Sequence, residues 1–156
     1  MSFAQVPVVV RSRDVLQEKS PQAQLLRPLI HRGIAPVGDI SIGSVVMPGG
    51  GISEPHVHEY SEIIVLVLEG HAATLCGEGM DPVLHGPGDP IWVPAGVPHV
   101  AVNLSLDHHV VAIEVRTDPH FNKDVVLRPD LRDVAQARVP GLRVDHDEWR
   151  AKNWMV

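Results

Sequence analysis

The sequence predicts an all-β domain, an antiparallel β-barrel or jelly roll with short terminal helices. Short apolar runs rich in Val and Ile recur about ten residues apart, a spacing typical of sandwiches and barrels. Glycine and proline number 13 and 14 in a chain of 156 residues, so the chain turns often. This is the length of one domain. We expect a barrel core at residues 40–116, an N-terminal extension at 1–39 and a C-terminal extension at 117–156.

The N-terminal extension and the core supply the predicted strands. Val6–Val10 is predicted as an edge strand, because Pro7 lacks the N–H that a central strand donates. Asp14–Glu18 is predicted as a helical turn. The core strands end at turns containing Gly or Pro, and they are predicted at Ile40–Met47, Ile63–Leu68, Ala72–Leu75, Ile91–Val93, Val100–Leu104 and Val110–Val115. Ile63–Leu68 has no polar alternation, which indicates a strand covered on both faces.

The C-terminal extension is more charged than the core. Asp130–Ala137 and Asp147–Trp154 are predicted as short helices, because each begins with an Asp at a plausible N-cap position.

Charge and composition exclude several classes of protein. Lys and Arg number 13 against 19 Asp and Glu, a net charge of −6, which does not suit a nucleic-acid backbone. The single cysteine, Cys76, can form neither an internal disulfide nor a Cys-rich zinc site. No apolar stretch approaches the ~20 residues that span a bilayer, and Met1–Val6 does not begin a secretory signal. We therefore expect a cytoplasmic protein with no membrane or nucleic-acid partner.

Four residues of the predicted core have the spacing of a metal site. His56 and His58 lie two apart, so a strand presents both imidazoles on one face. Glu62 lies at even spacing from them, and His99 begins a second strand after a Gly/Pro turn. A His-x-His pair alone is more often two exposed strand residues. Together, three imidazoles and a carboxylate suit one divalent metal ion: Fe first, with Mn, Ni, Co or Zn as alternatives.

Around these residues the chain resembles the cupins, small β-barrels that carry a metal in the barrel mouth. Gly50, five residues, His56-Val57-His58, three residues and Glu62 follow the first cupin signature. The second signature is matched in full by Gly88, Pro94, Gly96, His99 and Asn103. The resemblance implies that His56, His58, Glu62 and His99 are the metal ligands. It also implies a homodimer, in which the N-terminal strand packs at the interface or is exchanged between subunits.

One departure from the first signature bears on Glu62. Seven residues instead of six separate Glu62 from Gly70. An odd insertion reverses the facing of later side chains unless a β-bulge absorbs it. Either Ile63–Leu68 is bulged or Glu62 is displaced from the metal. In the second case Glu54, Glu59 or a water would complete the ligand set.

Three functional classes follow for a small oxygenated organic substrate. The first is an Fe(II)-type dioxygenase, and the second is a non-redox isomerase, lyase or polyketide-cyclase-like enzyme in which Glu62 or Tyr60 moves the proton. The third is a metal-assisted binding protein without catalysis. Glu114 is a possible second cavity carboxylate, although an outward-facing strand position fits it equally well.

Overall fold

A computed structural model describes residues 6–153 of the chain, as two β-sheets and one long helix. The strands are β1 (Glu18–Lys19), β2 (Leu25–Ile30), β3 (Ser41–Met47), β4 (His56–His58), β5 (Ile63–Glu69), β6 (Ala72–Cys76), β7 (Asp81–His85), β8 (Pro90–Val93), β9 (His99–Asn103), β10 (Val110–Arg116) and β11 (Val125–Leu127). The helix α1 spans Arg132–Asn153, and short 3₁₀ helices span Ser12–Asp14 and Pro129–Leu131.

The strands form an antiparallel jelly roll, as the sequence predicts. Six strands in the order β1-β2-β3-β10-β5-β8 make sheet A, and five in the order β11-β4-β9-β6-β7 make sheet B. In β3 and β10 buried residues alternate with partly exposed ones, as strands with one face turned inward require. Residues of both sheets line the cavity that lies between them.

The core has two parts, one on each side of sheet B. Between the sheets, residues such as Val45, Val67 and Ala112 pack together. On the outer face of sheet B, Leu75, Val100 and Val102 pack with residues of α1 and the turn before it, Leu131, Ala135 and Val139. The helix therefore covers sheet B and leaves the cavity between the sheets to be lined by strands.

The bulge proposed from the sequence is present in β5. Val111 of β10 pairs with Glu69, but the next residue, Ala112, pairs with Val67, so Leu68 is the extra residue. The expectation that this strand is covered on both faces is wrong. In the structure the side chains of Ile64 and Leu68, on one face of β5, are about half exposed.

Two predictions for the ends of the chain are also wrong. Residues 6–10 form no strand and are largely exposed, so the homodimer implied by the resemblance stays a prediction without its expected edge strand. The two short helices are one continuous helix through Pro140, since Val139 and Leu142 pack against sheet B on both sides of that proline. Residues 1–5 and Trp154, the end of the second predicted helix, lie outside the described residues.

Candidate metal centre

Three histidines from two neighbouring strands meet in the cavity between the sheets. His56 and His58 lie on the same face of β4, and His99 of β9 is the register partner of His56. Their exposed fractions are only 2%, 2% and 7%. One ring nitrogen from each lies within 4.8 Å of the other two, a separation that one ion can bridge. The three imidazoles that the sequence singled out are thus brought together.

Hydrogen bonds at Nδ1 determine which nitrogen each imidazole offers. Nδ1 of His56 lies 2.7 Å from the carbonyl oxygen of Glu54, and Nδ1 of His99 lies 3.0 Å from that of Val97. Because a carbonyl only accepts, both rings donate from Nδ1 and keep the lone pair on Nε2. His58 directs Nδ1 to the carboxylate of Asp124 at 3.3 Å.

The Nε2 atom of His58 provides a test of whether a metal fits. It is buried and has no hydrogen-bond partner among the residues that the structure describes. A buried polar atom without a partner is costly, whereas coordination to a cation would satisfy it. Neutral imidazoles whose opposite nitrogens are held by acceptors form the donor set preferred by Fe, Ni, Co or Zn ions.

Burial keeps these imidazoles in the neutral form that a metal requires. Desolvation lowers the pKa of His58 to about 3, and the charge of Arg116 adds to the effect. Burial also lowers the pKa of His56 and of His99, and in both cases the Arg116 charge acts in the same direction. The site is therefore ready to coordinate a cation without first releasing protons.

Asp124 is a positioning residue that the sequence did not reveal. Its second carboxylate oxygen accepts hydrogen bonds from the Tyr60 and Ser61 amides and from the Ser61 hydroxyl, at 3.0, 2.8 and 2.7 Å. Burial opposes ionisation of this carboxyl, but those hydrogen bonds prevail and lower the pKa of Asp124. The residue lies 66 positions after His58, just before β11, and no spacing rule connects the two.

The structure does not bring Glu62 or Tyr60 into the centre. Strand β4 ends at His58, and Ile63 at the start of β5 is buried, so Glu62 faces outward. Its carboxylate accepts a hydrogen bond from Nε1 of Trp92 at 2.8 Å. Tyr60 is 80% exposed. The bulge at Leu68 lies at the far end of β5 and does not turn Glu62 inward.

The alternative acidic ligands named from the sequence are also engaged elsewhere or exposed. The carboxylate of Glu54 accepts a hydrogen bond from Nε of Arg132 at 2.9 Å, and Glu59 is exposed.

The carboxylate inside the cavity belongs to Glu114, on β10. It is 5% exposed and lines the same cavity as the three histidines. Arg116, 1% exposed, donates to Glu114 and to the amide oxygen of Asn122, and its guanidinium lies 4.3 Å above the Phe121 ring. Of the two orientations open to Glu114 in the sequence, the inward one is observed. The cavity is about 40 Å³ and otherwise largely apolar.

Comparisons with known proteins agree on the fold. The family model described as Cupin domain matches residues 43–116. The polyketide cyclase RemF from Streptomyces resistomycificus has a TM-score of 0.65 at 19% identity, over 85% of this chain and 98% of that one. KdgF from Halomonas sp. has a TM-score of 0.60 at 18% identity, over 75% and 97%.

A longer protein also shares the fold. The oxalate decarboxylase of Lactobacillus farciminis, solved as a formate complex, has a TM-score of 0.62 at 21% identity, over 74% of this chain and 34% of that one. This chain thus spans about a third of that enzyme. A comparison with the curated proteins found no significant match to this sequence. Within residues 6–153, no helix has the length and apolar character needed to cross a membrane.

Proposed function

We propose that this protein, whose residues 43–116 match the family model described as Cupin domain, is a divalent-metal-dependent enzyme acting on a small oxygenated organic molecule. The observation that carries the proposal is the convergence of His56, His58 and His99 in a cavity between the sheets that also holds a buried carboxylate. A divalent ion held by these imidazoles would act as a Lewis acid that polarises a substrate oxygen.

Glu114 is the group best placed to move a proton. It is the acidic residue in the cavity wall, and its charge opposes the larger effect of burial on the pKa of His99. Arg116 donates a hydrogen bond to the carboxylate and holds it in one orientation. A carboxylate fixed in an apolar cavity is placed to act as a general base that removes a proton beside a polarised carbonyl.

This arrangement favours non-redox chemistry: an isomerase, lyase or cyclase that proceeds through enolisation. The cavity volume of about 40 Å³ holds only a few water-sized groups, so the reacting part of the substrate is small. The dioxygenase expected from the sequence stays a prediction. It is supported by three neutral imidazoles, which leave coordination positions for both a chelating substrate and dioxygen.

Metal content is the first test. Protein purified without added metal is expected to contain about one equivalent of a divalent ion, measured by plasma mass spectrometry. His58→Ala should lose it and keep the circular dichroism spectrum of the β-fold. Glu62→Gln, the matched change at the exposed carboxylate, should keep the ion. Loss of metal in Glu62→Gln but not in His58→Ala would refute this ligand assignment.

The reaction class is tested with small 2-oxo acids and 1,3-diketones in D₂O. Proton transfer predicts deuterium incorporation next to the carbonyl, followed by NMR. Glu114→Gln should slow the exchange by about 10²- to 10⁴-fold without loss of metal, and Glu62→Gln should leave it unchanged. Oxygen consumption without exchange would instead establish the dioxygenase. Metal retention with neither reaction would favour a binding protein.

A further inference from the structure

A second pocket lies away from the three histidines. It is formed between the second half of α1 and the open end of the β6–β7 hairpin, where β6 begins and β7 ends. It has a volume of about 570 Å³, within the range of small-molecule sites. Its wall includes Leu84, His85, Asp89, Asp145, His146 and Trp149. Of the residues in its wall, only His85 and Ala72 also line the cavity between the sheets that holds the three histidines. We call this the helix pocket.

His146 is the residue that points to a ligand here. Its exposed fraction is 5%, and neither ring nitrogen has a hydrogen-bond partner among the described residues. His85 is 8% exposed; its Nε2 lies 2.7 Å from the hydroxyl of Thr74, while its buried Nδ1 is also without a partner. Leaving such groups unpaired is costly, so the pocket is built to receive a molecule with hydrogen-bonding groups.

The wall beside His146 is aromatic and apolar. The rings of His71 and His146 lie 5.1 Å apart, and that of Trp149 lies 5.6 and 6.0 Å from them, respectively. Trp149 is 47% exposed, which places the indole at the rim. Such a surface packs well against the C–H groups of a ring.

Two carboxylates determine the charge that the pocket accepts. Asp89 and Asp145 line it, and no Lys or Arg does so among the described residues. Burial lowers the pKa of His146, and His71 and the charge of Arg150, which lies outside this wall, act in the same direction. Asp147 acts in the opposite direction, but the net effect is a lowered pKa, so the ring is neutral. The pocket therefore disfavours an anion and offers acceptors to hydrogen-bond donors.

We propose that the helix pocket binds an uncharged polyhydroxylated ring, a sugar or a cyclitol. A neutral imidazole presents one donor and one acceptor, and a hydroxyl group can pair with both. Hydroxyls also donate to the two carboxylates, while the C–H face of the ring packs on the aromatic wall. A purely apolar ligand would leave His146 unpaired, and a carboxylated sugar would be repelled by Asp89 and Asp145.

Calorimetric titration of the full chain tests this proposal, with the methyl glycosides of glucose, galactose and mannose and with myo-inositol as probes. At least one is expected to bind with a Kd of about 1 mM or tighter, and glucuronate is expected to bind more weakly than methyl glucoside. Treatment with a metal chelator should not change the affinity, which separates this site from the metal centre. Absence of binding by every neutral probe would overturn the proposal.

A matched pair of variants locates the site. His146→Leu removes both unpaired nitrogens, so it should weaken probe binding at least about tenfold without lowering the thermal stability. His120→Leu, at an exposed histidine outside the pocket, should bind like the parent. Unchanged binding in His146→Leu would place the ligand elsewhere.

A second variant covers the case in which His146→Leu does not fold. Asp145→Asn, at an exposed position of the wall, should strengthen glucuronate binding relative to methyl glucoside. An unchanged preference would overturn the charge argument.

Discussion

His58 differs from the other two histidines of the metal centre because a carboxylate, not a backbone carbonyl, faces its Nδ1. Asp124 also holds the turn after β4 through the Tyr60 and Ser61 amides. One residue thus orients an imidazole and fixes the turn that ends its strand. Carboxylates in this position raise the basicity of a ligating imidazole and limit its rotation.

We expect Asp124→Asn to weaken metal binding by about 10- to 100-fold, because the amide cannot supply the negative charge opposite His58. Competition with a chromogenic chelator measures the affinity. Asp107→Asn, at an exposed acid, is the matched control, and it should leave the affinity unchanged. Ser61→Ala removes one bond to Asp124 but keeps the His58 pair, so its effect should be smaller. Equal effects of Ser61→Ala and Asp124→Asn on the metal affinity would show that Asp124 acts only by holding the turn after β4 and not through His58.

At the scale of elements, local pattern predicts the core strands β3, β5, β6, β8, β9 and β10 and places His56 and His58 on one face. It does not predict β2, β7 or β11, nor what packs against the histidines. A period of two places His56 and His58 on one face whatever the rest of the fold does. The facing of Glu62 depends on where β4 ends, and the continuity of α1 depends on sheet B supporting Val139 and Leu142 beside Pro140. These are long-range effects, and short-range spacing does not encode them.

Strand β3 shows how such a long-range contact reaches the site. Gly43 lies opposite Glu114 in the register, and a Cβ at this position would lie 2.6 Å from Cε2 of Phe121 and 2.9 Å from the carbonyl oxygen of Arg27. The space at Gly43 is thus occupied by the aromatic ring that packs under the Arg116 guanidinium.

Gly43→Ala should therefore destabilise the fold by about 1 to 3 kcal/mol, the range for overpacking a filled site. Guanidinium denaturation followed by circular dichroism measures the change. Gly38→Ala provides the matched control, because a Cβ there meets no atom within 4 Å and its cost should be close to zero. If Gly43→Ala had the same denaturation midpoint as Gly38→Ala, the Phe121 ring would move aside at no cost in stability.

At the scale of the whole molecule, the fold buries several histidine rings. Burial lowers the pKa of five histidines: His56, His58, His85, His99 and His146. In the unfolded chain each titrates near 6.5. The unfolded state then binds more protons than the native state below that pH, so stability falls as the pH decreases.

For metal-free protein, lowering the pH from about 7.5 to about 5.5 should reduce the free energy of unfolding by roughly 1 to 1.5 kcal/mol for each histidine that stays neutral in the native state. Near His99, Glu114 favours protonation and Arg116 opposes it, but burial exceeds both. Asp124 favours protonation of His58, yet the pKa of that ring remains about 3, so its contribution to the pH dependence persists through this range.

Denaturation at several pH values gives the slope of the free energy of unfolding against pH. His58→Phe should reduce the slope by about one proton, and a stability that stays constant or rises on acidification would contradict the assignment of neutral, metal-ready imidazoles to this cavity.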